Sequence, residues 1–522
     1  MQHALAALDW WVIGGYLAAM LLLAMYLGRR QESREDYYLG GGRLPSWALA
    51  TSVIATQCST NSLLGAPAFV GFVIGGGLLW LQYELAVPLA MLALCALFIP
   101  IRRSGVISIY AFLEQRLGRE SRLLASACFL FFRGIATGVT VYGVASVLSL
   151  VTGLSYLVSV LLLMGITILY DVLGGMRAVV VSDVLQMILL SAAVLLALSW
   201  LAEPLLAQHE ALDGQWQALD FDWGFTGNDY GFWPMLLGGL FLYMAYYGCD
   251  QSQAQRLLSA ADEDATRKVL LLNGLLRFPL VLAYCLLGLG LAAYAIEQPA
   301  LVNSLPTTEA GEPNYNLVFP AFVAREFAPG LAGLAIVGLF AAAMSSIDSA
   351  LNSLSASTVE DFVARGRPQS EHRLFVLSKL ITLAWGLFAV LFSFHVERIA
   401  TTVLEAINKV GSMANGPLLS LFIVAILFPA VGQRAAIAGF IAGLAGNVVL
   451  WLAFPQVSWL WWNVAGCLTG LGVALAVGGI RQHQRAHIAP GALSIPLPYT
   501  LTLSIAALVI FGCCLAFTVG LA

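Results

Sequence analysis

The sequence predicts an all-α polytopic membrane protein with about fourteen transmembrane helices. Of its 522 residues, 60% are hydrophobic and only 10% are charged, whereas a soluble protein of this size has about a quarter of its residues charged. The apolar residues form long runs, and about 20 such residues make a helix that crosses a bilayer core of about 30 Å. Because a backbone in lipid must satisfy its own hydrogen bonds, each run is expected to be helical.

The hydrophobic runs number fourteen, and the loops between them reach at most about 30 residues. No stretch of the chain is left for a separate soluble domain. The predicted segments are 9–28, 46–73, 77–100, 123–151, 155–174, 178–201, 233–255, 269–296, 329–360, 374–395, 400–428, 434–453, 459–480 and 496–520.

The distribution of Lys and Arg predicts a multi-pass protein of a bacterial inner membrane with its N-terminus outside. Nineteen Lys and Arg residues fall on the odd-numbered loops, Arg256 among them, and only Arg325 and Arg398 fall on the others. Positive residues concentrate on the cytoplasmic side, so the odd-numbered loops are expected there. The first positive charges, Arg29 and Arg30, follow the first apolar run, so a cleaved signal peptide is not expected.

Composition and motifs disfavour several function classes. The net charge of −4 offers no electrostatic attraction to nucleic acid, so nucleic acid is not expected as a partner. The expected partners are the lipid bilayer and a small solute. The sequence has no nucleophile elbow, metal triad or phosphate loop, so an enzyme is not expected. A sodium-conducting channel or a membrane sensor remains a less favoured class, and a sensor would need an output domain that the segments leave no room for.

Two predicted segments carry polar runs at membrane depth. The second segment contains the sequence ATQCSTNS at 55–62, and the seventh contains YYGCDQSQ at 246–253. Small polar residues can simply allow close helix packing. Interruptions five segments apart, however, are typical of transporters built from two inverted halves that bind solute and ions at the breaks.

The inverted-repeat interpretation divides the chain into five parts. An extra N-terminal helix and cytoplasmic loop (1–45) precede the first half (46–201), and an extracellular loop (202–232) leads to the second half (233–430). Accessory transmembrane helices are expected at 431–522.

The ninth segment carries a polar face. Ser345, Asp348, Ser349, Asn352 and Ser353 recur at intervals of three and four, so they share one side of a helix. A carboxylate at membrane depth costs at least ~2.5 kcal/mol on insertion scales, so it must bind a cation or carry a proton. Hydroxyl, carboxylate and carbonyl oxygens are the ligands of hard cations. A helix-packing seam is the alternative.

Several stretches together resemble the sodium:solute symporter family. They are 36–43 (DYYLGGGR), the polar run 55–62, 174–186 (GGMRAVVVSDVLQ), 250–256 (DQSQAQR) and 342–353 (AAMSSIDSALNS). The resemblance implies a LeuT-type fold, a 5+5 inverted repeat with extra flanking helices, and sodium as the coupling ion. Sialic-acid and sugar symporters of bacteria are among the carriers it resembles.

The resemblance also implies ligands for one sodium ion and for a second. The main site would use the backbone carbonyls of Ala55, Cys58 and Ala342 with the hydroxyls of Ser345 and Ser346. The second would use Asp183, Ser345, Asp348 and Ser349, with Asp348 in place of a serine of the sialic-acid carriers. A bound proton or an Asp348–Arg pair remains an alternative for this second group.

The solute pocket is expected at the breaks and on the helices that face them. By resemblance, Ser59, Ser62 and Gln82 match sialic-acid contacts, Glu84 matches a hydroxyl-binding position of a sugar carrier, and Tyr246 matches an aromatic that closes the pocket. Gln57 and Tyr243 are further pocket candidates. The alternative for Glu84 is an interhelical hydrogen bond or a pair with Arg133.

At two positions the sequence departs from the carriers that it resembles, and each departure weakens the assignment of one solute. Ala136 stands where sialic-acid carriers place a substrate-binding arginine, and Ile407 stands where sugar carriers place a glutamine. Glu405 and Lys409 have the spacing of a helix ion pair, although Lys409 could instead reach a substrate carboxylate.

The sequence therefore predicts a sodium-coupled secondary active symporter that imports a small polar organic solute by alternating access. The solute classes expected are a sugar, a sialic-acid-like compound or a carboxylate, carried by a monomer. A proton-coupled symporter that uses Asp183 or Asp348 is the alternative.

Overall fold

A computed structural model describes residues 5–29, 31–58, 60–307, 311–364, 370–396, 403–478 and 493–520. Within these ranges the chain folds into 21 α-helices with two isolated β-bridges and no strand. The helices are α1 Ala7–Gly28, α2 Arg34–Leu39, α3 Ser46–Gln57, α4 Thr60–Phe72, α5 Trp80–Tyr83, α6 Ala86–Leu97, α7 Ile99–Arg103, α8 Ile109–Arg116, α9 Arg119–Thr152, α10 Tyr156–Ala207, α11 Gly239–Cys249, α12 Gln251–Leu258, α13 Glu263–Glu297, α14 Ala300–Asn303, α15 Val318–Glu326, α16 Leu331–Thr358, α17 Glu371–Ser393, α18 Val403–Leu427, α19 Gln433–Ala453, α20 Trp461–Gly478 and α21 Leu497–Gly520. The all-α prediction is confirmed.

Ten helical stretches in the described residues have the length and hydropathy of a membrane span. They account for eleven of the predicted segments, because α10 covers both 155–174 and 178–201. The other three predicted segments coincide with the helix pairs α3–α4 and α11–α12 and with α18.

The helix α10 is bent at one glycine. Its 52 residues would extend about 78 Å at 1.5 Å per residue, more than twice the thickness of a bilayer core. Gly175 has φ 53° and ψ −162°, a conformation that a side chain would disfavour. A Cβ there would also lie 2.7 Å from a ring carbon of Tyr37. The bend therefore turns one continuous stretch into two membrane segments.

The helix α16 lies at the centre of the bundle and α21 at its edge. In the apolar 18-residue stretch that represents each helix, 83% of the residues are buried for α16 and 17% for α21. The large apolar side chains of the edge helices point outward, as lipid-facing residues should. The polar face of α16 is thus enclosed by protein, where each polar atom needs a partner.

Candidate functional site

The helix pair α3–α4 is interrupted at Cys58, inside the predicted polar run. Cys58 ends α3 with a non-helical ψ of 59°, and its N–H donates to the Ile54 carbonyl over 2.7 Å. The last four carbonyls of a helix have no partner inside it, and they carry the negative end of the helix dipole. At this break they are the carbonyls of residues 55–58, and they favour a cation.

Two serines of α16 face these carbonyls. The Ser345 hydroxyl lies 3.2 Å from the Ala55 carbonyl oxygen and 3.1 Å from the Ala342 carbonyl oxygen. The Ser346 hydroxyl lies 3.3 Å from the carbonyl oxygens of Thr56 and Ala342. The two helices therefore bring four of the five predicted main-site residues into direct contact, and Cys58 is the capping residue beside them.

The spacing of these oxygens fits a sodium-sized ion. Ca²⁺, which has nearly the same radius, holds oxygen ligands at 2.3–2.6 Å, so neighbouring oxygens around such an ion are about 3.3–3.7 Å apart. The oxygens contributed by Ala55, Ala342, Ser345 and Ser346 are 3.1–3.3 Å from their neighbours. These three separations lie at or a few tenths of an ångström below that range.

Thr56 joins this group although the sequence did not single it out. Its carbonyl accepts from Ser346, and its hydroxyl lies 3.0 Å from the Ser349 hydroxyl on α16. A backbone carbonyl leaves no trace in the side-chain pattern. Only the position of the break could have indicated that Thr56 belongs with Ala55.

The predicted second cation group meets an arginine. The Arg256 guanidinium lies 3.2 Å from a carboxylate oxygen of Asp183 and donates to the hydroxyl of Ser349. Ser349 in turn donates to the Ser345 carbonyl over 2.5 Å and lies 3.2 Å from Asp348. Asp183, Asp348 and Ser349 are all buried, as predicted residues of one polar group should be.

Arg256 was counted as a charge of a cytoplasmic loop, and that assignment is wrong. It is the largest fully buried side chain among the described residues. Its donors reach acceptors on several helices, which makes a buried guanidinium tolerable. The neighbouring polar run 250–253 was the signal that the helix continues into the protein at this point.

Three buried carboxylates lie close enough to this arginine to interact with its charge, and one of them, Asp183, is in contact with it. Asp171, Asp183 and Asp348 each have a side-chain oxygen without a hydrogen-bond partner among the described residues. Asp171 is held by the Asn352 amide at 3.3 Å. If all three carboxylates are ionised, the one guanidinium compensates only one of three negative charges. A bound cation or bound protons could compensate the other two.

Glu84 pairs with Arg277 rather than with Arg133. Its carboxylate lies 2.8 Å from the Arg277 guanidinium, and both side chains are nearly or fully buried. Arg277 also donates to the Tyr243 hydroxyl over 2.6 Å and lies over the Tyr243 ring, 4.4 Å from its centroid. Two predicted pocket residues, Glu84 and Tyr243, are thus brought together by an arginine that the sequence did not indicate as a site residue.

Arg133 has a different partner. A second break separates α11 from α12 at Asp250, whose backbone is extended. Arg133 lies 3.2 Å from the Asp250 carboxylate, which caps the N-terminus of α12. It also lies over the ring of Tyr246, 5.8 Å from the centroid. The Tyr246 hydroxyl accepts from Gln253 over 2.9 Å. The predicted pocket-closing tyrosine is therefore held beside the second interruption.

The remaining pocket candidates do not form one cluster. Gln82 binds the loop that precedes α11, because its amide donates to the Tyr230 carbonyl over 2.6 Å and accepts from the Asp220 N–H over 3.1 Å. Gln57 and Ser62 are half-buried at the first break, where the Ser62 hydroxyl lies 3.3 Å from the Gln57 carbonyl. Ser59 and the side chains of Glu405, Ile407 and Lys409 lie outside the described residues.

Two interrupted helices, one of them with carbonyl and hydroxyl oxygens meeting at its break, are typical of a class of membrane protein, the ion-coupled secondary transporter. The model of the sodium:solute symporter family matches residues 37–443. The chain belongs to this family. It is a multi-pass membrane protein and a sodium-coupled symporter of a small solute, not an enzyme.

Similar proteins carry different solutes. The sodium/sialic acid symporter SiaT of Proteus mirabilis is 29% identical over 468 residues, which cover 85% of this chain and 89% of that protein. The sodium-dependent multivitamin transporter of Oryctolagus cuniculus is 30% identical over 481 residues, which cover 89% of this chain and 70% of that protein. Family membership alone therefore leaves the solute open.

A solved structure supports the fold over nearly the whole chain. The substrate-bound, outward-open structure of a Na⁺-coupled sialic acid symporter superposes with a TM-score of 0.82 at 26% sequence identity. The match covers 91% of this chain and 98% of that one. The predicted LeuT-type fold is confirmed by this match.

Proposed function

We propose that this symporter binds its coupling sodium ion at the α3 break and imports a hydroxylated carboxylate of the sialic-acid type. The single observation that carries the sodium site is the meeting of the Ala55 and Ala342 carbonyls with the hydroxyls of Ser345 and Ser346. Cys58 would add a fifth oxygen through its carbonyl. Each of these groups offers a hard oxygen ligand, which is the type that a hard cation binds.

Sodium at this place would hold α3 against α16. By bridging carbonyls of one helix and hydroxyls of the other, the ion favours the conformation in which they touch, and it shifts the balance by its differential affinity for that state. Solute entry from outside and release inside then follow from alternating exposure of one pocket. At a membrane potential of ~100 mV, each sodium ion contributes about 2.3 kcal/mol besides its concentration gradient.

A second cation would bind among Asp183, Ser345, Asp348 and Ser349. The excess of carboxylates over guanidinium groups in this neighbourhood supports the proposal, because buried charges need compensation. A proton on one of the carboxylates is the alternative, and it would make transport partly proton-coupled. Uptake driven by an imposed pH gradient in the absence of sodium would favour the proton.

The proposed solute class rests on similarity and on the pocket candidates. Two relatives with long matches to this chain carry sialic acid by name. In addition, Glu84, Tyr243 and Arg277 together offer both acceptors and donors for hydroxyl and carboxylate groups. Ala136 cannot supply the arginine of the sialic-acid carriers, so Arg277 or Arg133 would have to bind the carboxylate. Gln57 and Ser62 would contact the solute at the break.

The proposed membrane arrangement follows the charge distribution. The N-terminus lies outside a bacterial inner membrane, 46–201 and 233–430 are the inverted halves, and the protein works as a monomer. In this arrangement α3 and α12 are the cytoplasmic halves of the interrupted helices.

A thermal-shift screen tests the solute class. A ligand that binds the folded state raises the melting temperature. Purified protein in sodium is expected to be stabilised by N-acetylneuraminate and much less by glucose, with little effect of either in potassium. Stabilisation by glucose alone would contradict the proposed solute class while leaving sodium coupling intact.

A further inference from the structure

Arg256 on α12 contacts three other helices at one point. Its Nε donates to the Ser52 hydroxyl of α3 over 2.6 Å, and its Nη1 donates to the Ser252 carbonyl of α12 over 2.5 Å. Its Nη2 reaches Asp183 of α10 at 3.2 Å and also donates to the Ser349 hydroxyl of α16. The side chain has no exposed surface.

These contacts form a continuous connection between the two interrupted helices. From Arg256 the connection passes through Ser349 to the Ser345 carbonyl, and the Ser345 hydroxyl touches the Ala55 carbonyl at the first break. In the other direction Arg256 holds the first turn of α12, directly after the second break at Asp250.

The half-helices α3 and α12 lie at the same end of the bundle. Leu44, just before α3, forms a parallel bridge with Ala260, just after α12. Movement of one half-helix at this end would therefore displace the other or break this bridge. Arg256 attaches α12 to the long helices α10 and α16. The helix α3 contacts the same two helices, through Ser52 to Asp183 and through Ala55 to Ser345.

The connection depends on how the helices are arranged. A buried guanidinium is costly unless its donors are paired, and breaking a buried charge pair destabilises a protein strongly. Three of the four acceptors of Arg256 belong to three other helices, so separation of α3 from α10 and α16 would leave at least one donor unpaired. Sodium, which also joins α3 to α16 at the proposed site, favours the arrangement in which Arg256 is fully paired.

We propose that Arg256 is a positioning residue that transmits sodium occupancy at the first break to α12 and thereby to the second break. The proposal rests on the proposed sodium site. It assigns to Arg256 no contact with solute or ion. Its role is to make the position of α12 depend on whether sodium holds α3 against α16.

Hydrogen–deuterium exchange of the full-length protein in detergent, with sodium or potassium and no solute, tests this role. In the native protein, sodium is expected to slow the exchange of amides in both α3 and α12 by at least about fivefold. In Arg256→Gln, sodium still slows exchange in α3, but its effect on α12 falls below about twofold. Arg256→Lys keeps the charge but not the planar fork, so it should restore part of the effect.

Gln255→Met provides the matched control. Gln255 is the neighbouring residue on α12, is equally buried, and bonds Asn352 and the Tyr38 carbonyl but none of the proposed sodium ligands. This variant can be less stable overall, yet sodium should still protect its α12 as in the native protein.

Equal sodium protection of α12 in native protein and in Arg256→Gln would overturn the proposal. If Arg256→Gln does not fold, undiminished protection of α12 in Arg256→Lys would overturn it. Loss of the sodium effect in Gln255→Met would show that any loosening of α12 suffices, which also contradicts a specific role for Arg256. A native protein in which sodium protects neither helix would instead reject the sodium site itself.

Discussion

The Ser345 hydroxyl of α16 lies 3.2 Å from the Ala55 carbonyl oxygen at the end of α3. This contact joins a helix that crosses the centre of the bundle to one that stops halfway. It is also the contact that a sodium ion would replace with two stronger ones, because both atoms are oxygens with free lone pairs.

Removal of both α16 hydroxyls should abolish sodium binding at the main site. Ser345→Ala with Ser346→Ala takes away two neutral oxygen ligands, each worth roughly 1.5–3 kcal/mol to a charged partner. Sodium affinity, measured by isothermal calorimetry or by sodium-dependent thermal shift, is expected to fall at least about a hundredfold. The protein should remain folded.

Ser353→Ala is the control for this double variant. Ser353 lies on the same helix and is equally buried, but among the described residues its hydroxyl donates only to the Ala350 carbonyl of its own turn, over 2.9 Å. Its removal should leave sodium affinity unchanged. Native affinity in the double variant would exclude Ser345 and Ser346 as ligands.

Asp348→Asn tests the second cation. If Asp348 binds sodium, loss of its charge should lower the Hill coefficient for sodium from about two towards one, because the amide oxygen is a weaker ligand for a hard cation. The sodium-to-solute ratio in proteoliposomes should fall in parallel. An unchanged Hill coefficient together with an unchanged ratio would remove Asp348 from the ion sites.

The Glu84–Arg277 pair should be essential to stability as well as to the pocket. Glu84→Gln leaves a buried guanidinium without its carboxylate, which typically costs about 3–5 kcal/mol. Adding Arg277→Met removes the orphaned charge, so the double variant should recover much of the melting temperature. If both residues also bind solute, the recovered protein will still fail to take it up. Restored uptake in the double variant would make the pair purely structural.

Two substitutions of Asp250 should separate the stability contributed by its helix-capping hydrogen bond from that contributed by its charge. Asp250 accepts from the Ser252 N–H over 2.8 Å and also pairs with Arg133. Asn caps helices as well as Asp does, whereas Ala loses about 1 kcal/mol. Asp250→Asn therefore should lower the melting temperature less than Asp250→Ala. Equal losses would mean that the ion pair with Arg133 outweighs the cap.

The sequence predicted the parts of this site that depend on local pattern. The polar run at 55–62 indicated the break, and the spacing of Ser345, Asp348 and Ser349 indicated one helical face. The resemblance then paired Ala55 with Ser345, which the structure brings into contact.

The partners of the buried arginines could not be predicted, because they depend on how distant helices pack. Glu84 and Arg277 are 193 residues apart, and Asp183 and Arg256 are 73 apart. One signal was available: Arg277 interrupts an otherwise apolar segment, and a charge at membrane depth requires a partner. That requirement shows that a partner exists but does not say which acidic residue fills the role.

Uptake by proteoliposomes with and without sodium tests the central claim most directly. Once the thermal-shift screen has shown that N-acetylneuraminate binds, vesicles containing the purified protein are given this solute in radiolabelled form, with Na⁺ or choline outside. We predict that an inward sodium gradient accumulates the solute above its external concentration and that choline reduces uptake to the level of protein-free vesicles. Equal accumulation in sodium and in choline would contradict sodium coupling through the Ala55–Ser345 site.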